Sequence, residues 1–241
     1  MRLAFRVLRQ FEGKTRLGPV VWVRSVSDSP PLRGVVNDNK DIKGVKGEQS
    51  WLCASSVPVL QTVRGHVEVR ENFITEEEEN ALLKELEPGL KKKRYEFDHW
   101  DDAIHGYRET ERLQWGSACA ALLGRVRAVA FPEGSPLLGP VHVLDLDKAG
   151  YIKPHVDSVK FCGSTIAGLC LLSDSVMRLV REENPADWVD LLLSRRSLYI
   201  LRDEARFKFT HEILKDEDSF FSGQRVPRHR RISVICRNLP V

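Results

Sequence analysis

The chain has no cysteine pattern that reads as a framework. Its 241 residues hold five, Cys53, Cys119, Cys162, Cys170 and Cys236, an odd number with no C-x-x-C pair and no regular spacing. They suit packing roles in a reducing compartment and exclude a disulfide scaffold. No apolar run approaches the 18 residues of a membrane-spanning helix. A net charge of +3 is too small to argue for nucleic acid by itself. Two basic runs, Lys91-Lys-Lys-Arg94 and Arg225 with Arg228, Arg230 and Arg231, lack interleaved aromatics, so the pattern of a single-strand stacking surface is missing. They read as solvated, or, for Arg228 and Arg230, as the rim of a site. No internal repeat is visible.

What is present divides into three parts. Residues 1–26 open with Met1-Arg-Leu-Ala-Phe-Arg-Val-Leu-Arg-Gln-Phe11, basic, weakly amphipathic and almost free of acid. That is transit-peptide composition and lacks the long apolar core of a secretory signal. Residues 27–65, with Pro30-Pro31 and several glycines, read as a flexible linker. Residues 66–241 are long enough for one domain with its own core. Within it, Thr75 and Glu78 form a capping box ahead of an acidic helix whose Leu82, Leu83 and Leu86 make a buried stripe, with Pro88-Gly89 as its stop. Gly116 to Phe131 reads as a second helix with Ala120, Leu123 and Val126 inward. Tyr95 to Trp115 reads as polar and irregular, and Asp187 to Leu193 as a short helix or covering loop.

The chemistry concentrates further on. His155 and Asp157 are two apart, hence on one face of a strand, and Asp147-Lys-Ala-Gly150 before them reads as a turn. His211 follows the β-prone runs Ser197-Leu-Tyr-Ile-Leu201 and Arg206-Phe-Lys-Phe-Thr210. Two histidines and one carboxylate are the ligand set of a non-haem Fe(II) oxygenase, which leaves other metal positions open. The segment Arg231-Ile-Ser-Val-Ile-Cys-Arg237 supplies fixed cations. A dicarboxylate co-substrate that chelates the metal by one end needs such a cation at the other, because a carboxylate in a dry pocket is costly unpaired. Guanidinium matches it bidentately and keeps its proton. Strand alternation puts Arg231, Ser233, Ile235 and Arg237 on one face. Six residues of strand span roughly 20 Å, so Arg231 is assigned to the distal carboxylate and Arg237 to the metal end. Tyr199 is a hydroxyl donor to the distal carboxylate. A His-x-Asp pair alone is common in strands, and paired arginines are usually solvated. Their order in a β-rich setting carries the assignment to Fe(II) and 2-oxoglutarate.

From about His66 to Pro240 the chain resembles the AlkB-like family of Fe(II)/2-oxoglutarate dioxygenases. It shares the His-x-Asp, the later His and the Arg-x5-Arg closing strand, together with Ser197-Leu-Tyr-Ile-Leu and Ala205-Arg-Phe-Lys-Phe-Thr-His211. Within the family, His-Val-Asp-Ser, Lys-Phe-Cys-Gly and Arg-Arg-Ile-Ser-Val-Ile-Cys-Arg look most like the mitochondrial member, which agrees with the basic N-terminus and implies the mitochondrial matrix. The resemblance implies an α+β fold, a double-stranded β-helix (jelly roll) with helices packed on one side. It implies His155, Asp157 and His211 as iron ligands, and Tyr199, Arg231 and Arg237 as the 2-oxoglutarate site. Succinate and CO2 would be the co-products.

Departures bear on the substrate. Family members that repair nucleic acid place Asn two residues after the first arginine of the closing strand; this chain has Ser233. Their Asn and Tyr upstream of the ligand strand correspond to Leu144 and Leu146, which cannot hydrogen-bond the co-substrate. Their hairpin lid, which flips and stacks a base, has no evident counterpart here. The expected primary substrate is therefore a protein side chain, with oxidative demethylation of nucleic acid as the alternative. A non-catalytic jelly-roll interaction protein is the alternative of another class. A zinc hydrolase would not explain Arg231 beside an open facial triad.

Overall fold

The computed structural model describes residues 44–99 and 102–240. The transit-peptide reading of residues 1–26 lies outside the described residues. The expected linker does not reach residue 65. Strands β1 (Val45–Lys46) and β2 (Leu52–Ala54) lead to helix α1 (Val57–Val63), and β3 (Val67–Arg70) follows directly. Leu52, Ala54, Val59 and Val63 are buried in the core, which is why this stretch folds.

Helix α2 (Glu76–Leu90) begins at the capping box expected from sequence, with Thr75 and Glu78 bonded reciprocally. It runs through Pro88 instead of stopping there, because Leu90 is fully buried and anchors its last turn. Next come β4 (Glu96–Asp98) and β5 (Ile104–Arg112), a paired hairpin where irregular chain was expected. Its outward face is held by charge: Arg108 donates to buried Asp145 at 2.7 Å. Helix α3 (Ser117–Ala130) buries Cys119, Leu122, Leu123 and Val126, while Ala120 is exposed.

The remaining strands are β6 (Val141–His155), β7 (Thr165–Leu171), β8 (Ser175–Arg181), β9 (Asn184–Leu193) and β10 (Leu198–Arg202). Short helix α4 (Asp203–Phe207) precedes β11 (Phe209–Ile213), and β12 (Phe220–Phe221) and β13 (Gln224–Arg225) form a small hairpin before β14 (Arg231–Arg237). The main sheet runs β1-β2-β9-β8-β11-β6-β14-β7-β10-β3, with β5 also on β6, and every pairing given is antiparallel.

β6 turns this sheet into a jelly roll. Its first half pairs with β14 and its second half with β11, so one long strand serves both walls. Asp147 to Gly150, expected as a turn, lies inside that strand, where its register against β5 shifts. There Gly150 meets Gly106 of β5, and a Cβ on Gly150 would fall 2.4 Å from the Gly106 carbonyl oxygen. The inner face gathers Tyr107, Leu144, Leu146, Met177, Leu179, Tyr199 and Ile235. The outer face, with Ile232, Val234 and Cys236, packs under α2 and α3. That is the expected jelly roll with helices on one side, and the alternation along β14 is as read from its sequence. Asp187 to Leu193 belongs to β9, not to a helix or loop: its Asp190 is buried, yet both oxygens accept from Arg178 at 2.8 Å. All five cysteines are free and buried. No helix among the described residues is long and apolar enough to cross a membrane.

Candidate active site

The triad assembles where β6 meets β11. His155 ends β6 and lies opposite His211 in the β11 register, with ring centroids 4.3 Å apart. Asp157 is not on the strand, as alternation suggested, but in the loop beyond it. That loop is pinned by Arg206 of α4, whose Nη2 donates to the carbonyls of Asp157 at 2.9 Å and Cys162 at 3.3 Å. Asp157 Oδ1 then stands 3.5 Å from His155 Nε2 and 3.8 Å from His211 Nε2. One donor atom from each residue falls within 4.8 Å of the others, a spacing a single cation can bridge.

Second contacts orient the donors. His155 Nδ1 donates to the Lys153 carbonyl at 2.9 Å, which turns Nε2 toward Asp157. Burial opposes a charge on His155, but the Asp157 carboxylate outweighs it and holds its pKa above the usual value. Burial, reinforced by His155, pushes His211 down to about 3, leaving its imidazole neutral. Burial alone would raise the Asp157 carboxyl; Arg237, followed by the histidines, holds it well below the ordinary range. Arg237 Nε donates to Asp157 Oδ2 at 2.6 Å, leaving Oδ1 to the histidines.

At the other end of β14, Arg231 is 1% exposed. Its Nη2 meets Cys170 Sγ at 3.5 Å and its Nε has no hydrogen-bond partner. No carboxylate among the described residues forms an ion pair with it, although a buried guanidinium normally requires one. Tyr199 is buried with Arg231 nearby; desolvation pushes its phenol up to about 12, so it keeps its proton. The Tyr199 ring fits because Gly168 faces it: a Cβ there would lie 2.4 Å from Cε1 and 2.6 Å from the hydroxyl. We expect Gly168→Ala to drive the ring aside and weaken 2-oxoglutarate binding about tenfold or more, since overpacking costs roughly 1–3 kcal/mol. A calorimetric titration with 2-oxoglutarate checks this, and unchanged affinity would place Tyr199 outside the co-substrate site.

The structure thus brings together the residues singled out from sequence, five of them from strands and Asp157 from the loop beyond β6. Two more were placed differently by that reading, and three escaped it. Arg228 was expected at a solvated rim; it is fully buried, donates to the carbonyls of Leu214 and Gly150, and is pushed down to about 10 by burial and by Arg231. Arg230 instead bridges Asp145 and Glu87. Arg206, Glu109 and His142 also line the metal end. Only His142 carried a readable signal: it shares strand parity with Leu144 and Leu146.

An antiparallel jelly roll with a His/Asp/His cluster at one end of its inner face, and an arginine without a carboxylate at the other, has the build of a 2-oxoglutarate-dependent oxygenase. No protein-family model matches the chain. It is 58% identical over 193 residues, covering 80% of this chain and 87% of the relative, to the alpha-ketoglutarate-dependent dioxygenase alkB homolog 7, mitochondrial, of Bos taurus. The protein of the same description from Mus musculus is 60% identical over 191 residues, 79% of this chain and 86% of that one. The solved structure of OsALKBH1 matches with a TM-score of 0.55, covering 71% of this chain and 97% of that chain, and at 8% identity it speaks for the fold alone. The chain belongs to the AlkB-like family of alpha-ketoglutarate-dependent dioxygenases. It is a mitochondrial oxidoreductase that uses Fe(II) and 2-oxoglutarate, as the sequence led us to expect.

Proposed function

We propose that His155, Asp157 and His211 hold the iron, that Arg231 and Tyr199 receive the distal carboxylate of 2-oxoglutarate, and that Arg237 serves the metal end. The observation that carries this is Arg231, a buried cation with an unpartnered Nε and, among the described residues, no carboxylate of its own. The donor set also fits the metal: neutral His211, ionised Asp157 and an Nε2 of His155 turned inward suit Fe(II), with one protein carboxylate. When bound, iron and 2-oxoglutarate supply the oxygen activation, with succinate and CO2 released. The protein's part is to orient both and balance their charge.

For the primary substrate we propose a protein side chain. The hairpin beside the site is acidic: Glu96, Asp98 and Asp102 are exposed on it, and Glu109 lies further along β5. Such a wall repels a phosphate backbone, whose binding depends on neutralisation by Lys and Arg. Among the described residues its exposed aromatic is Phe97, while Tyr107 is buried with its hydroxyl on Glu96. One observation favours nucleic acid instead: a hairpin does stand at this position, against the sequence-based expectation, and exposed Lys91 to Arg94 lead into it.

The test is succinate release by anaerobically iron-loaded protein, alone, with a peptide digest, and with N-methylated oligonucleotides. Peptide-stimulated turnover, lost in Asp157→Ala and in Arg231→Ala, is the expected result. Stimulation by oligonucleotides alone would reverse the substrate assignment. Failure of the protein to bind either iron or 2-oxoglutarate would overturn the site itself.

A further inference from the structure

One chain of contacts at the metal end ends in a group that no co-substrate role accounts for. From Asp157 it runs outward through Arg237 to His142, and from His142 to Glu109. Arg237 Nη1 meets His142 Nδ1 at 3.4 Å, and His142 Nε2 meets a Glu109 carboxylate oxygen at 2.8 Å. Arginine can only donate, so Nδ1 must accept and the imidazole proton sits on Nε2, donated to Glu109. Each link fixes the direction of the next: carboxylate, imidazole, guanidinium, carboxylate.

The backbone holds the chain in register. His142 lies opposite Ile235 of β14, two residues before Arg237, and Glu109 lies opposite Leu144, two residues beyond His142. Both side chains are largely shielded, about one-fifth exposed. Burial works against the Glu109 charge, yet His142 holds its pKa below the usual value. A buried carboxylate is costly, and here its hydrogen bond goes to a histidine whose other nitrogen faces Arg237.

We propose that Glu109 and His142 are positioning residues for the metal-binding carboxylate, acting through Arg237. The inference rests on Asp157 being a metal ligand. Without the pair, the Arg237 side chain keeps its charge but loses the contact that sets the roll of its guanidinium. Asp157 Oδ2 is then held less well, and Oδ1 is no longer fixed beside the histidines. Removal of such outer partners typically costs 10–100-fold in metal affinity.

The test compares wild type, Glu109→Leu, Glu109→Gln, His142→Leu and the Glu109→Leu/His142→Leu double variant. Fe(II) affinity is read by competition titration, and the visible charge-transfer band of the anaerobic Fe(II)·2-oxoglutarate complex reports the ligand field. Each leucine variant should lose about tenfold or more in affinity and shift the band. Glu109→Gln, which can still accept from His142, should lose less, and the double variant no more than the worse single. Additive losses, or variants matching wild type in affinity and band, would overturn the inference. If leucine at position 109 prevents folding, His142→Leu decides alone: weakened Fe(II) binding with a shifted band supports the chain, and wild-type affinity and band overturn it. Failure of wild type to bind Fe(II) would instead overturn the triad assignment on which this rests.

Discussion

Arg231→Met should leave the protein without its co-substrate at least as stable as wild type, while lowering 2-oxoglutarate affinity by roughly 100-fold or more. Arg231 is 1% exposed, has an unpartnered Nε and, among the described residues, meets only a thiol at hydrogen-bond range. A buried charge without a counterion costs several kcal/mol, and an apolar residue of similar volume is often neutral or stabilising in its place. Arg228 adds to the effect, since burial and the nearby Arg231 both oppose its charge. Removing Arg231 relieves one cation of the other. On the proposed assignment, the distal carboxylate of 2-oxoglutarate pairs with this buried guanidinium. Loss of one partner there costs about 3–5 kcal/mol, which is roughly two to three and a half decades in affinity at about 1.4 kcal/mol per decade. Arg231→Lys should fall between, since it retains the charge but not the planar fork. Thermal melts without 2-oxoglutarate, paired with calorimetric titrations, check both halves. A variant that melts well below wild type yet binds 2-oxoglutarate normally would show that Arg231 serves the fold.

The sequence made β14 legible because its two faces meet different surroundings. Ile232, Val234 and Cys236 go to the helices, and Arg231, Ser233 and Arg237 go inward, so period-two alternation is undiluted. The triad was legible as a set of residue types, because little else calls for that order of His, Asp, His and Arg. Its geometry was not. Asp157 reaches its place through a loop tied down by Arg206, a long-range contact with no local signature. The β4–β5 hairpin was missed for a related reason: β5 is anchored by ion pairs such as Arg108 with Asp145, so its hydropathy alternation is weak. β9 was obscured by Asp190, whose partner Arg178 lies on the neighbouring strand. In β6, Asp147 to Gly150 has turn composition because the register shifts there and the backbone approaches Gly106 closely, not because the strand reverses. Charge pairs replaced apolar contacts in these places, and pattern reading follows the apolar ones.

Asp157→Leu should abolish iron binding and also destabilise the metal-free protein, by about 3–5 kcal/mol, because it strands Arg237. The pair is shielded on both sides, 14% exposed at Arg237 and 10% at Asp157, with a 2.6 Å contact. His142 meets another nitrogen of Arg237 but offers only a neutral acceptor, which cannot replace a carboxylate. The two losses have different origins and can be separated by adding Arg237→Met. The double variant removes the stranded cation, so most of the lost stability should return while iron binding does not. Denaturant titrations in the presence of a chelator give the stability half, and Fe(II) titrations give the other. An Asp157→Leu protein as stable as wild type under chelation would mean that Arg237 finds another counterion in the metal-free site. If the double variant recovered iron binding along with stability, Asp157 would be a structural partner of Arg237 and not a ligand. The expected split, stability restored and metal affinity still lost, assigns the carboxylate both tasks, one oxygen to the guanidinium and the other to the metal.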